Sequence, residues 1–361
     1  MTPRTLALVL LAALTPRVAS MATELDSRAY WQSSTIGATR PDNLADASGC
    51  GVCHRAQYRA WRDSLHAHAW SPGVRAQWPA LDGAARQDCL RCHAPRLAAA
   101  DSERDHASSH GGVDCAACHV RDGRWYGPRT VTAPHGRVQA HTLFRRAEFC
   151  SACHQFGEEG MALNGKPLEN TFNEWRGSRH AAAGRTCQSC HMPQGRHAFK
   201  GIHDAAMTRA TLRVQARRTR TGVRVTATNV GAGHALPTYT TPAIALKLIG
   251  GGNAREAVLR RALAWDENGE LIEASDTRLL PDASLELELA LPAAETAQVE
   301  VSVDPQYDYH TRIYPALARA FAGVHDTEKL MRASAQAQRL RYTLYRLRCD
   351  RWRGREVLCI E

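Results

Sequence analysis

Long apolar runs and large aromatic side chains are both scarce in this chain. Past the stretch Leu6 to Leu14, no segment is long and apolar enough for a transmembrane helix, which excludes an integral helical membrane protein. That first stretch is itself about half of what spans a bilayer. It follows Arg4, is closed off by Pro16 and Arg17, and leads into the small-x-small patterns Val18-Ala19-Ser20 and Ser20-Met21-Ala22. This is the layout of a signal peptide, so the mature chain is expected to begin near residue 21 to 23, outside the cytoplasm. Phe, Trp and Tyr make up 6% of the 361 residues, a thin supply of the rings that usually fill a core. Carboxylates are also short, 36 against 46 Lys and Arg, for a net charge of +10. Loss of Arg4 and Arg17 with the leader lowers this by two. Taken alone, such a balance points to a nucleic-acid partner.

Cysteine and histidine are what the chain has instead, 12 and 17 of them. The run CGVCHRAQYRAWRDSLHAHAW at 50–70 opens on Cys50, Cys53 and His54 in the spacing C-x-x-C-H. In that attachment signature of c-type haem, both thiols bond to the porphyrin edge and the histidine ligates iron. The spacing returns at Cys89, Cys92 and His93, at Cys115, Cys118 and His119, at Cys150, Cys153 and His154, and at Cys187, Cys190 and His191. Random placement would give roughly 0.02 such motifs per chain. Structural zinc takes four ligands, which would leave one of the five cysteine pairs over, and it gives no reason for a histidine after every pair. A thioredoxin-type site needs a single copy in a βαβ setting. The five motifs are therefore read as five covalently bound haem c groups, and haem c is attached in the compartment that the leader indicates.

Haem changes the charge argument. Two propionates on each of five haems bring about −10, offset by about +1 per ferric iron. The loaded protein is then close to neutral, and no nucleic-acid partner is expected. The arginine excess reads equally as propionate partners, where a guanidinium fits a carboxylate bidentately, or as a solvated surface.

All five motifs lie between Cys50 and His191, about one per 30 residues, too little chain to wrap each haem separately. Porphyrins must supply much of that core. Arg55 to Ala69 and Asn170 to Ala183 read as short helices between irregular segments. After about residue 208, apolar and polar side chains alternate over Thr211–Arg218, Val223–Val230, Ala243–Leu248, Ser284–Leu289 and Val299–Val303, with Gly and Pro-Asp turns between. Leu330, Ala333, Ala337, Leu340, Leu344 and Leu347 then recur at helical intervals. Cys349 and Cys359, ten apart, are expected to form a disulfide closing the tail. The fold class is thus α+β: an irregular, mainly helical pentahaem domain, an all-β sandwich-like domain and a C-terminal helix. The boundaries fall at 1–22 for the leader, 23–208, 209–308 and 309–361.

Twelve histidines remain for iron positions opposite the motif histidines. A second histidine makes a haem an electron carrier, and an open position makes it a site for substrate. Any one histidine is ordinarily a solvated or hydrogen-bonded residue. Two of the twelve, however, sit in a repeated pattern, W-R-x-S-x-H, at Trp61–His66 and Trp175–His180. His234 stands in NVGAGHALPT, where glycines let backbone approach a flat partner and Pro237 stiffens the exit. The expected second ligands are His66, His135, His180, His203 and His234, with His197 and His141 in reserve. Trp61, Trp70 and Trp175 fit stacking near porphyrin or an ordinary buried core equally.

The region from about 45 to 245 resembles the multihaem c-type cytochromes with a cytochrome c-554-like haem domain. The resemblance rests on C-x-x-C-H-x-x-x-Y-x-x-W-x-x-S-x-H at Cys50–His66, FCSACHQF at 149–156 and TFNEWRGSRHAAAGRTCQSCHMP at 171–193. GRHAFKGIHD at 195–204 and NVGAGHALPTYTTP at 229–242 extend it. It implies a periplasmic or surface electron-transfer protein with mostly bis-histidine haems, and it supports His203, His234 and, more weakly, His135. The expected function is electron transfer between redox partner proteins, such as other cytochromes or a quinol-oxidising membrane complex. The alternative is an oxidoreductase acting on a small nitrogen or sulfur compound at one open haem. The C-x-x-C-K mark of pentahaem nitrite reductases is missing, and enzymes that oxidise hydroxylamine usually carry eight haems, so a carrier is favoured over a catalyst. A third reading makes the β domain a partner-binding module.

Overall fold

The computed structural model describes residues 30–31, 47–78, 81–98, 112–323 and 327–361. The expected leader lies outside them, as do His106, His110 and His325. Among the described residues, no helix is long and apolar enough to cross a membrane. The chain is α+β, helices first and antiparallel sheets after, and it forms two compact units. One comprises Met1–Trp70, Asp82–His154 and Thr186–Phe199, the other Ser71–Leu81, Gln155–Arg185 and Lys200–Glu361.

The first unit contains all five C-x-x-C-H motifs on short helices: Ala47–Cys53, Gly83–His93, Cys115–His119, Glu148–His154 and Cys187–His191. Helical spacing puts the two cysteines of a motif on one face and the histidine at the end of the same turn. Helices this short do not stand alone in water. Two have side-chain caps, Asp82 accepting from Ala85 N at 2.8 Å and Asp114 from Ala117 N at 2.9 Å. A small sheet unforeseen in the sequence braces the third motif. Its strands are β1 (Val120–Arg121), β2 (Arg124–Gly127), β3 (Val131–Ala133) and β4 (Gly136–Ala140), in the order β1-β2-β4-β3. Ala116, Val120 and Trp125 pack there with Val138. The β3–β4 turn carries His135.

The second unit includes the hairpin β5 (Ala162–Leu163) and β6 (Lys166–Pro167), and its core is a sandwich. The sandwich strands are β7 (Leu212–Arg218), β8 (Gly222–Asn229), β9 (Ala243–Gly250), β10 (Asn253–Leu259), β13 (Ser284–Ala290), β14 (Ala297–Asp304), β15 (Tyr342–Cys349) and β16 (Val357–Leu358). β11 (Arg261–Trp265) and β12 (Leu271–Asp276) form a separate ribbon. The two four-stranded sheets run β10-β9-β14-β15 and β13-β8-β7-β16. Strict alternation turns Leu212, Val214 and Ala216 of β7 inward against Ile244, Leu246 and Leu248 of β9 and Val299, Val301 and Val303 of β14 in one apolar core. Arg218 ends the inward row of β7 fully buried, donating to the carbonyls of Thr219, Gly222 and Pro292. At Gly222, a Cβ would stand 2.2 Å from Leu289 O, so the strands there require glycine.

The C-terminal periodicity divides differently from the expectation. A helix does form, but at Thr327–Gln338, and Leu344 and Leu347 lie on β15. A register shift between Val301 and Ser302, where β14 pairs β15, spaces the buried residues of β15 three apart and then two, which imitates a helical interval. The Cys349–Cys359 disulfide is present, with Cα atoms 4.4 Å apart. It closes more than a tail, because Cys349 ends β15 in one sheet and Cys359 follows β16 in the other.

Candidate functional site

Thiols of different motifs come together in pairs in the first unit. Cys115 lies within hydrogen-bonding reach of Cys50, Cys153 of Cys92, and Cys150 of Cys187. These contacts bring together cysteines of motifs one and three, two and four, and four and five.

The motif histidines show a second regularity. His54 faces His135, His154 faces His66 and His119 faces His197, each pair with ring centroids 6.1 Å apart. A ring nitrogen lies roughly 1.1 Å from its centroid, so two metal–imidazole bonds of about 2.0 Å would separate facing rings by roughly 6.2 Å. The structure thus brings together two of the expected second ligands, His66 and His135, with motif histidines. His197, a reserve residue in the sequence reading, faces a third. It follows Gln194 and Gly195, both at positive φ. That local turn gave no sign of which motif it serves, because only the fold brings it to His119.

Hydrogen bonds set the ring orientation. Nδ1 of His119 is 2.8 Å from Tyr126 O, and Nδ1 of His197 is 2.9 Å from Gly195 O. A carbonyl at Nδ1 fixes the proton there and leaves Nε2 as the ligand atom. Nδ1 of the motif residue His93 makes the same kind of bond to Ala69 O at 2.9 Å. Burial lowers the pKa of His66 to about 3, helped by His154 and His191, and that of His119 to about 4, against the bond to Tyr126. Burial also lowers His93 and His197. These rings are held neutral, the state that binds a metal. Among the thiols, burial pushes Cys118 up to about 11.

Arg121 escaped the sequence reading. It is 2% exposed, its guanidinium lies 4.4 Å and 4.8 Å from the ring centroids of Tyr30 and Trp31, and it donates to Tyr30 O and Val120 O. Its Nη2 has no partner among the described residues. The charge interacts with the thiols of Cys118 and Cys153, so a buried cation sits beside the third and fourth motifs. An orphaned guanidinium NH₂ next to haem thiols suits a carboxylate such as a propionate.

His180, His203 and His234 belong to the second unit. His203 lies in the turn before the helix Ala205–Thr211, its pKa lowered by burial. His234 sits in a loop held from two sides: Asn229 Nδ2 donates to His234 O at 3.0 Å, and Ala235 N donates to Glu174 Oε2 at 2.9 Å. Its Nδ1 is 2.9 Å from Ala235 O, which makes Nε2 the ligand atom here as well. Gly233 brings this loop against the second W-R-x-S-x-H segment, where a Cβ would meet Trp175 at 3.1 Å and His180 Cβ at 3.4 Å. Nη1 of Arg185 lies 3.4 Å from His180 Nδ1. A guanidinium can only donate, so that contact leaves the proton on Nε2, and ligation of iron through Nε2 requires it to give way. His141, the other reserve, packs 4.9 Å from Tyr30 and accepts from Leu143 N.

Residues 49–120 match the protein family described as Cytochrome c554 and c-prime. Among solved structures, the chain is similar to a penta-heme cytochrome c552 from Thermochromatium tepidum, with 21% identity and a TM-score of 0.59 over 83% of this chain and 97% of that one. At that identity the likeness is one of fold. No curated protein matches the chain. The chain carries a cytochrome c554-like multihaem domain.

Proposed function

We propose that this multihaem c-type cytochrome is an exported electron carrier holding five haem c groups, most of them ligated by two histidines. The three facing imidazole pairs at 6.1 Å carry this reading, since their spacing suits one iron between each pair of rings. The likeness to a penta-heme cytochrome agrees with the count of five motifs. Cys50, Cys53, Cys89, Cys92, Cys115, Cys118, Cys150, Cys153, Cys187 and Cys190 attach the porphyrins. His54, His93, His119, His154 and His191 are the proximal ligands. His135, His66 and His197 complete the first, fourth and third centres, and His180, His203 and His234 are further candidate ligands.

The thiol contacts support electron exchange within two groups of motifs, one with three, and two with four and five. Contact between four and the others runs through Cys92 and Cys187. Six-coordinate haems change oxidation state with little change in bonding, which suits transfer between redox partner proteins rather than substrate binding. Electron paramagnetic resonance of the oxidised protein tests this. Low-spin ferric signals accounting for all the haem are expected. A stoichiometric high-spin signal would instead identify an open iron and an enzyme.

A further inference from the structure

The two W-R-x-S-x-H segments are built alike well beyond their sequence. Trp61 Nε1 donates to Val113 O at 2.8 Å, and Val113 N donates to His66 O at 2.8 Å. In the other copy, Trp175 Nε1 donates to Arg185 O at 2.9 Å, and Arg185 N donates to His180 O at 2.9 Å. Inside each segment the same turn recurs, Ser64 N to Trp61 O at 2.8 Å and Ser178 N to Trp175 O at 2.9 Å. The serine hydroxyls accept from Ala67 N and Ala181 N, both at 3.4 Å, and both serines are buried, 4% and 6% exposed.

The gripped residue has the same address in both copies. Val113 and Arg185 each follow a glycine and stand two residues before the first cysteine of a C-x-x-C-H motif, Cys115 or Cys187. Each of those cysteines in turn meets the first cysteine of the motif preceding the tryptophan, Cys115 with Cys50 and Cys187 with Cys150. The intervening chain differs greatly, since the indole and its acceptor are 52 residues apart in one copy and 10 in the other. The first copy accommodates the whole Cys89–His93 motif in that interval. A geometry kept across such unequal loops does not follow from local chain stiffness.

We infer that Trp61 and Trp175 are equivalent positioning residues, each clamping the peptide two residues before a haem-attachment cysteine, at Val113 or Arg185, so that the histidine of its W-R-x-S-x-H segment is fixed relative to that peptide. Cys50–His119 and Cys150–His191 are then two copies of one two-haem module, with the second motif inserted in the first copy. This rests on the haem reading above. The indole N–H is the working part: phenylalanine keeps most of the packing but cannot reach the carbonyl. The register matters because an imidazole displaced by about 1 Å no longer holds its iron. Gly112 reports on the same clamp independently, because a Cβ there would stand 2.2 Å from His66 O.

Trp61→Phe, Trp175→Phe, the double variant and Gly112→Ala are prepared as haem-loaded full-length protein. They are compared by haem content, electron paramagnetic resonance and carbon monoxide binding to the reduced form. Trp61→Phe and Gly112→Ala are expected to keep five haems while converting up to one haem-equivalent from low-spin to high-spin, with a matching gain in carbon monoxide bound. Trp175→Phe is expected to disturb a different centre, so the double variant shows the sum. Should Trp61→Phe lose haem altogether, Gly112→Ala decides alone. Low-spin, carbon monoxide-silent spectra in Trp61→Phe, Trp175→Phe and Gly112→Ala overturn the clamp. A wild-type protein without low-spin signals overturns the underlying haem reading instead.

Discussion

Removing the Cys349–Cys359 bridge should weaken the sandwich by a calculable amount and leave the haems alone. The perturbation is best made as Cys349→Ala with Cys359→Ser. Cys349 is fully buried, and a serine hydroxyl there would add the cost of an unpaired polar group. The bridge spans a sequence separation of 10. In the chain-entropy model, a loop of that size contributes about 2.7 kcal/mol. For a unit of this size, each kcal/mol moves the melting temperature by about 2–4 °C, so a fall of roughly 5–11 °C is expected. The tail is not held by sulfur alone: Cys359 N donates to Ala216 O at 2.8 Å, and Arg348 and Ile360 exchange backbone bonds at 2.7 Å and 3.0 Å. The variant should therefore fold and melt cooperatively at the lower temperature. Calorimetry gives the shift, and a parallel potentiometric titration should leave every midpoint potential unchanged. No shift in melting would show that those backbone bonds already fix the tail. A change in the potentials would refute a purely structural role.

Three further outcomes follow from the geometry. His197→Ala should open one iron to carbon monoxide, counted as one ligand per chain, whereas His310→Ala should open none, because His310 Nε2 is engaged with Asp304 Oδ2 at 2.7 Å. Arg121→Gln removes a buried cation, so the midpoint potential of the nearest haem should fall by on the order of 50 mV, since positive charge favours the reduced iron; unshifted potentials would contradict this. Acid should loosen the second unit. Burial raises Asp276 and Glu273, but hydrogen bonds from Arg278 and Lys166 to the first, and from Lys166, Asn164 and Arg261 to the second, outweigh it, while Lys200 and Met207 N hold Asp204 down. Groups with depressed folded-state pKa contribute above their unfolded values, near pH 4, and lose that contribution as pH falls. Glu174, raised by burial, acts in the opposite sense, so an acid titration that raised stability overall would refute the balance drawn here.

The candidate attachment motifs were legible in the sequence because C-x-x-C-H needs only local spacing, and every one of them lies on one short helix or at its end. Strands buried on one face were legible for a similar reason: Leu212–Arg218 and Gly222–Asn229 match the alternation within a residue. β10 escaped notice because its first four residues are exposed, and pairing with β9 rather than burial makes it a strand. The sheet of β1 to β4 has strands of two to five residues, too short to show a period. The pairing of His197 with His119 depends on residues 78 apart in number, and no local pattern encodes it.

The position of the motif histidines on their helices also bears on energetics along the chain. His93, His119, His154 and His191 are each the last residue of a helix, where the carbonyl ends carry partial negative charge. In the five-haem reading that charge would stabilise ferric iron, so these four centres would share a downward bias in potential and could not be ranked by it. His54 differs. It closes the turn after Ala47–Cys53 through a bond from its N to Cys50 O, and it is also the N-cap of the eight-residue helix Arg55–Arg62, whose positive end opposes the first. By this contribution alone, the first centre would be the easiest of the five to reduce. In the five-haem reading, an electron moving along the chain would meet a step of driving force there, with further gradients contributed by side chains such as Arg121.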